Sequence, residues 1–472
     1  MAALRLAGTP SSAELPPTPF SNPTLYISRV VALYSASIVV FLGSLLEIYD
    51  WAIYGYLEPL LANVFTMSDR MGWVVFGVPF LARPVGAILM GWVADRHGRA
   101  LALNLCVWLM GLATCLQGCL LQSLPGAHLI FALLRLLSGV AAGGQAASIV
   151  TYASEVGEEH GGHLLVAAAG LANGSGALAF LLATATALLI ASQPVEVQLA
   201  WGWRIPFLSA GPLAFLSYYL RAHVSETPTY ERLNIKRTSI RLSIAKAEAG
   251  SYGSAQALEL LKEEVDVAGE ARAIFLAYFA VMPAVVSNYL PMLMLRWLQV
   301  YAAFSQSSAL WIGLLAKCTQ AIATFPVGFI ADELGTTTGL MIGSLGMLLC
   351  SVPAFLMLME ITFALQSDCA AIVMLGMVLP VCSSFCLMCS YIFVTSLFPV
   401  HRRSICVGIT SGLSSATVGM VPLAWISLSQ TAPWLPGASY SLLFVPTFLS
   451  ACYGRYAARR KELTVYQRPW LF

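Results

Sequence analysis

Long runs of apolar residues dominate the chain, and many of them lack a polar face at the repeat of either a helix or a strand. Residues 178–190 and 273–286 are apolar on nearly every side of a helix. Such a helix lies either in a large protein core or in lipid, and about 20 apolar residues cross the hydrocarbon layer of a bilayer. The pattern therefore predicts membrane-spanning helices.

The apolar segments fall into two sets of six. They lie near 30–57, 72–94, 101–123, 128–156, 163–192 and 202–222, and then near 271–299, 307–331, 337–359, 368–396, 403–430 and 434–456. We predict an all-α membrane protein of twelve spans in two six-helix bundles, at 29–222 and 271–456.

The remaining segments are polar. A disordered tail is predicted for residues 1–28, which are rich in Pro, Ser and Thr, and a short tail for 457–472. Residues 223–270 form the loop between the bundles. A short interfacial helix near 255–265 and a solvated linker are both compatible with this loop.

Composition supports lipid as the solvent. Hydrophobic residues make up 58% of the chain and charged residues 10%, against about 25% charged residues in soluble domains. A net charge of +2 gives no signal for nucleic-acid binding. We expect the bilayer and a small molecule as partners, and no nucleic acid.

The cations indicate the orientation. The loops after even-numbered spans carry most of them: Arg96, Arg99, Arg232, Lys236, Arg237, Arg241, Lys246, Lys262, Arg402, Arg403, Arg455, Arg459, Arg460 and Lys461. The opposite loops hold little beyond Arg70, Arg204 and Arg296. The positive-inside rule places both termini and the middle loop in the cytoplasm. We expect the plasma membrane, while Arg5 and Arg29 leave an organellar targeting peptide as an alternative.

A short motif occurs twice. Residues 91–99 read GWVADRHGR after the second span, and residues 328–335 read GFIADELG after the eighth, which indicates a duplicated six-span unit. Glycine lets helices approach closely or turn tightly, and an acid near a helix end can receive a neighbouring helix N-terminus or an arginine. We predict a gate of Gly91, Asp95, Arg96, Gly98, Arg99, Glu155 and Asp332.

Residues 91–99 resemble the GxxxDRxGRR signature of the major facilitator superfamily. Residues 47–57, 80–86, 134–144 and 203–228 resemble its metabolite:proton symporter group, which includes proline/betaine transporters and α-ketoglutarate, citrate and shikimate permeases. The resemblance implies the fold of that superfamily and transport of a small polar metabolite. Two departures stand out: Gln145 replaces a glutamate of the group, and residues 160–163 replace a basic loop.

The first span carries acids at membrane depth, where ionisable groups are costly and usually functional. Glu47, Asp50, Tyr54 and Glu58 follow each other at spacings of three and four, so we expect them along one stripe that faces a polar cavity. Two carboxylates one turn apart resist simultaneous ionisation, which suits loading and release of a proton. We predict proton coupling by Glu47 and Asp50, with a structural ion pair to an arginine as the alternative.

Arginines in the second and fourth spans face these acids. A guanidinium can hold a carboxylate through two parallel hydrogen bonds, so Arg83 or Arg135 either binds an anionic substrate group or neutralises Glu47 or Asp50.

Other polar residues within the spans complete the predicted substrate site: Tyr54, Gln145, Asn288, Tyr289 and Lys317. Pro291 is expected to break its helix beside Asn288 and Tyr289. Lys317 either snorkels, pairs with Asp332 or supplies a positive site for an anionic substrate. Asn173, Ser175 and Ser287 are either helix-packing polar groups or substrate contacts.

These features predict a proton-coupled symporter of a small carboxylate or zwitterion that works by alternating access as a monomer. The alternatives are an uncoupled facilitator, an exporter and a nutrient-sensing receptor. The chain contains no HExxH, GxSxG or P-loop motif, so we expect neither an enzyme nor a bound metal or cofactor.

Overall fold

The computed structural model describes residues 19–159, 164–221, 231–232, 235, 238, 267–301, 304–364, 373–399 and 402–460. Helices account for nearly all of them, and no strand occurs within these ranges. The middle loop lies almost entirely outside the described residues, as do 160–163, 1–18 and 461–472.

Twelve long helices follow one another along the described ranges. The first six are α1 (Pro23–Val64), α2 (Asp69–His97), α3 (Arg99–Cys119), α4 (Ala127–Glu159), α5 (Leu165–Ala191) and α6 (Arg204–Arg221). The second six are α7 (Val267–Tyr301), α8 (Gln306–Leu334), α9 (Thr336–Ala364), α10 (Leu379–Ser396), α11 (Arg403–Thr431) and α12 (Leu435–Arg459). One π-helical segment leads into α6 and another, Met374–Val378, into α10.

Ten of these helices are long and apolar enough to cross a membrane; α1 and α6 complete the twelve. Their outward surface is apolar, with Leu189 and Ile322 exposed by 69% and 76%. Soluble monomers rarely expose large contiguous apolar surfaces. The predicted fold class, an all-α membrane protein of twelve spans, is confirmed.

Two local predictions are corrected. The chain becomes helical at Pro23, inside the segment predicted as a disordered tail, because the Asn22 side chain accepts a hydrogen bond from the Leu25 amide at 3.1 Å and caps the helix. The predicted break at Pro291 is wrong, since α7 runs without interruption from Val267 to Tyr301. Spanning helices tolerate proline when neighbouring helices and local adjustment satisfy the freed backbone group.

The two bundles, α1–α6 and α7–α12, meet along two seams, α2 with α11 and α5 with α8. Glycines make the first seam close. A Cβ atom on Gly412 would lie 2.8 Å from Pro84 Cα, and one on Gly77 would lie 3.1 Å from the Gly419 carbonyl oxygen. The backbones therefore approach each other at positions where larger residues do not fit.

The ends of the bundles are named here by their residues. Helices α2 and α8 end beside Asp95 and Asp332, and this side is called the motif end. The side where α1 and α7 end is called the far end.

Candidate functional site

A buried cavity lies between the bundles, lined by residues of α1, α2, α4, α5, α7, α10 and α11. Its polar lining comprises Ser44, Glu47, Arg83, Asn288, Tyr289, Tyr391, Ser411 and Ser415. The volume is about 80 Å³, which holds several waters because each needs roughly 10–15 Å³. Glu47 and Arg83 thus face a space between the two halves rather than lipid.

Glu47 and Arg83 form an ion pair in the cavity wall. Arg83 Nη2 lies 3.4 Å from Glu47 Oε1, and both side chains are almost fully buried. The other terminal nitrogen, Arg83 Nη1, donates to Ser415 Oγ at 3.4 Å, which belongs to the opposite bundle. The guanidinium also lies 4.6 Å from the ring centroid of Phe80. Arg83 therefore contacts an acid of its own bundle and a hydroxyl of the other.

Asp50 and Arg135 form a second pair, inside the first bundle. Arg135 Nη1 donates to Asp50 Oδ2 at 2.8 Å, and Thr114 Oγ1 donates to Asp50 Oδ1 at 2.7 Å. Arg135 has no exposed surface, and its guanidinium lies 4.7 Å from the ring centroid of Tyr54. Neither Asp50 nor Arg135 lines the cavity, so this pair has the geometry of a structural lock.

The prediction that four residues of α1 form one stripe facing the cavity is therefore wrong. Of Glu47, Asp50, Tyr54 and Glu58, Glu47 lines the cavity and the other three do not. Three residues along an α-helix turn the side-chain direction by about 300°, which leaves an offset of about 60°. That offset points Asp50 toward α3 and α4 instead of the second bundle.

Two further predicted substrate residues also lie away from the cavity. The Tyr54 hydroxyl donates to the Gly72 carbonyl oxygen at 2.9 Å and is fully buried. Gln145 on α4 is likewise fully buried and does not line the cavity. In contrast, Asn288 and Tyr289 lie in the cavity wall as expected.

Lys317 on α8 is held by oxygens rather than by an acid. Its Nζ donates to the Asn288 carbonyl oxygen at 2.8 Å, to Asn288 Oδ1 at 2.7 Å and to Gln320 Oε1 at 2.7 Å. The network continues across the seam, because Gln320 Nε2 donates to Asn173 Oδ1 at 3.1 Å. Snorkelling and pairing with Asp332 are thus both excluded. Lys317 lies directly behind the cavity residue Asn288.

Aromatic rings cover the far side of the cavity. Trp51 on α1 stacks on Tyr289 of α7 with ring centroids 4.1 Å apart, and Phe80 packs edge-on against Tyr289 at 5.4 Å. These contacts join the two bundles. The sequence does not indicate a functional contact for Trp51, because a tryptophan in an apolar helix is equally compatible with packing inside one bundle.

Asp332 connects the bundles at the motif end. Its carboxylate accepts hydrogen bonds from the Val166 amide at 2.8 Å and the Ala167 amide at 3.0 Å, in the first turn of α5. The Tyr26 hydroxyl donates to the same group at 2.9 Å. An acid at a helix N-terminus is stabilised by free amides and by the helix dipole. The structure therefore has the arrangement that the sequence motif predicts.

The first motif copy makes the corresponding contact on the other seam. Asp95 Oδ2 accepts from the Ile405 amide at 3.2 Å, in the first turn of α11. Gly91 leaves room for this approach, since a Cβ there would lie 3.1 Å from Ile405 Cα. Gly98 has a φ of 109°, which favours glycine at the turn between α2 and α3.

The remaining predicted gate residues differ in whether they contact the opposite bundle. Glu155 Oε1 lies 3.7 Å from Arg403 Nη1, so it joins the bundles at the motif end. Arg96 instead lies over the ring of Trp92, 4.5 Å from its centroid, and is exposed. The side chain of Arg99 lies outside the described residues. Arg403 was counted only as a loop cation in the sequence, since its partner is distant along the chain.

Comparison with known proteins decides the family. The sequence profile of the Major Facilitator Superfamily matches residues 40–422. The chain belongs to the major facilitator superfamily. It is therefore an integral multi-pass membrane protein of a transporter family, which is not enzymatic.

Relatives within the superfamily support the predicted subgroup. The chain is 25% identical over 435 residues to the glycine betaine/proline/ectoine/pipecolic acid transporter OusA of Dickeya dadantii, covering 89% of this chain and 82% of OusA. It is 31% identical over 237 residues to the shikimate transporter of Escherichia coli, covering 48% of this chain and 53% of that protein. Both relatives are transporters of the kinds that the sequence motifs resemble.

A solved structure has the same fold. The proton:xylose symporter XylE bound to 6-bromo-6-deoxy-D-glucose matches 89% of this chain and 94% of its own, with a TM-score of 0.69 and 19% sequence identity. The two-bundle architecture of the superfamily is therefore shared.

Proposed function

We propose that the protein is a proton-coupled symporter of a small organic molecule that carries a carboxylate. This group is common to the carboxylate and zwitterion substrates that the sequence indicates. The Glu47–Arg83 pair in the cavity wall carries the proposal. The relatives named above, which transport betaine, proline, ectoine and shikimate, favour the same chemistry.

Proton and substrate binding are linked through Arg83. When Glu47 is ionised, its carboxylate is the partner of the guanidinium at 3.4 Å. A proton on Glu47 removes that negative charge and leaves Arg83 with a weak hydroxyl contact to Ser415. A substrate carboxylate then becomes the favoured partner, because charged and bidentate hydrogen bonds to guanidinium are the strong ones. Each ligand thereby raises the affinity for the other.

Asp50 takes a different role in this mechanism. Its carboxylate already has a guanidinium and a hydroxyl as partners, within the first bundle. We propose that the Asp50–Arg135 pair fixes α1 against α3 and α4 and so positions Glu47. Proton handling is assigned to Glu47 alone.

Alternating access follows from the two sets of contacts between the bundles. Asp332 and Asp95 join them at the motif end, and Trp51 stacks on Tyr289 beyond the cavity. Each set separates in turn as the bundles rock about the cavity. The positive-inside rule makes the motif end cytoplasmic, and we propose the plasma membrane as the location.

Uptake into proteoliposomes tests the proposal. Purified protein is reconstituted, a pH gradient that is acidic outside is imposed, and labelled carboxylates and zwitterions are supplied one at a time. We expect accumulation above the outside concentration for at least one carboxylate-bearing solute, and loss of accumulation with a protonophore. Equal uptake with and without the gradient would favour the uncoupled facilitator instead.

A further inference from the structure

Lys317 is enclosed by a cage that fits an ammonium group. Three oxygen atoms lie 2.7 to 2.8 Å from Nζ, and each of them accepts a hydrogen bond from it. A protonated lysine has three N–H donors, whereas a neutral amine has two and a lone pair that would face one of these oxygens. The nitrogen also lies 3.9 Å from the ring centroid of Phe180, a contact that favours a cation. The three acceptors and the ring therefore suit the charged form of the lysine.

In the part of the chain that the structure describes, no carboxylate forms an ion pair with Lys317. The nearby acids are occupied, Glu47 by Arg83 and Asp50 by Arg135. Among these five buried side chains the cations thus exceed the acids by one, and a buried charge without a counter-ion is unfavourable.

Asn288 connects Lys317 to the cavity, because it contacts the lysine and lines the cavity wall. Lysine only donates, so the Asn288 side-chain oxygen must face Lys317, and Gln320 Nε2 also approaches this oxygen at 3.4 Å. Asn288 lines the cavity, and because its side-chain oxygen is held by Lys317, the amide nitrogen is the side-chain donor that remains. A hydrogen-bond donor with a fixed cation behind it suits a carboxylate oxygen.

We infer that Lys317 makes the site selective for solutes of net negative charge over zwitterions. An organic anion supplies the missing counter-charge, whereas a zwitterion brings a second cation toward Arg83 and Lys317. Lys317 acts through Asn288 as a specificity-determining residue and does not itself line the cavity. The inference rests on the proposed carboxylate site and names its substrate class.

A matched pair of substitutions at Gln320 tests the charge without removing the lysine. Gln320 lies 2.7 Å from Lys317 Nζ and outside the cavity wall. Gln320→Glu supplies a counter-ion of almost the same shape, and Gln320→Met removes the hydrogen bonds of the side-chain amide without adding charge. Initial uptake rates of labelled lactate, shikimate and succinate are compared with those of proline and glycine betaine.

The wild type is expected to take up the anions in preference to the zwitterions. Gln320→Glu should raise the KM for the anions roughly tenfold, as expected for loss of one complementary charge near a ligand. Gln320→Met should retain the preference. Equal behaviour of the two variants, or preferred uptake of zwitterions by the wild type, would overturn the inference. So would the absence of both uptake and thermal stabilisation by all three anions.

Membrane potential supplies an independent readout. A monoanion that enters with one proton moves no net charge, so a potential set by potassium and valinomycin should leave its accumulation unchanged. A zwitterion that enters with a proton would accumulate about 50-fold more per 100 mV, inside negative; that result overturns the inference while proton coupling stands. A different result would refute proton coupling and leave the inference intact. In that case the wild type prefers anions, Gln320→Glu weakens this preference, and uptake is the same with and without the pH gradient.

Discussion

Replacing Glu47 by glutamine should separate binding from coupling. The substitution keeps the shape of the side chain but removes the carboxylate that lies 3.4 Å from Arg83. Glutamine resembles the protonated acid, so Arg83 remains available to a substrate carboxylate at every pH. The variant should bind and exchange substrate, but the proton gradient should no longer drive accumulation.

The magnitude follows from the proton gradient. One pH unit corresponds to about 1.36 kcal/mol per proton, which is a factor of ten in an equilibrium. With one proton per substrate, a gradient of two units supports an accumulation of about 100-fold in the wild type. In Glu47→Gln the ratio of inside to outside concentration should fall to about one.

Two assays on the same proteoliposomes distinguish this outcome from general inactivation. Counterflow, in which unlabelled substrate inside exchanges for labelled substrate outside, needs binding and rocking but no gradient. The variant should retain counterflow and lose concentrative uptake. The reasoning is refuted if Glu47→Gln still accumulates substrate in proportion to the imposed pH gradient.

Three further substitutions test the rest of the structure. Asp50→Asn leaves Arg135 buried without its acid and should destabilise the protein by about 3–5 kcal/mol, seen as a lower midpoint in thermal unfolding of detergent-solubilised protein; an unchanged midpoint would contradict the structural role. Asp332→Asn removes the charge at the N-terminus of α5 and should weaken closure of the motif end by about 1–2 kcal/mol. Spin-label distances across that end should then show a larger open population, and an identical distribution would count against this contact as a gate. Trp51→Ala removes the ring stacked on Tyr289 and should increase labelling, from the far end, of a cysteine introduced at the cavity position 411, whereas unchanged labelling would argue against the aromatic closure.

The sequence predicts the contacts that depend on local spacing. Asp332 stands at the end of α8 beside a glycine turn, and the prediction that such an acid receives a helix N-terminus corresponds to its bonds with Val166 and Ala167. Glu47 reaches the cavity because an acid at membrane depth is stable where water or a partner accompanies it. In both cases the chemistry of one residue restricts its surroundings.

The sequence does not predict which side of a bundle a residue faces. Glu47 and Asp50 share a helical stripe at the resolution of residue spacing, yet an offset of about 60° sends one into the cavity and the other into the bundle. The partners of Lys317 come from two helices, whereas the acid paired with Arg403 and the ring stacked on Trp51 come from the opposite bundle. Such pairings depend on how the helices rotate and pack, which a single sequence does not contain.

Proton uptake on substrate binding tests the central claim most directly. Purified protein in weakly buffered detergent solution is mixed with a transported carboxylate, and a pH indicator records protons taken from the solution. If a proton on Glu47 releases Arg83 for the substrate, the wild type should take up protons as the substrate binds and Glu47→Gln should take up none. Substrate binding without proton uptake, or equal uptake by the two proteins, would contradict the mechanism.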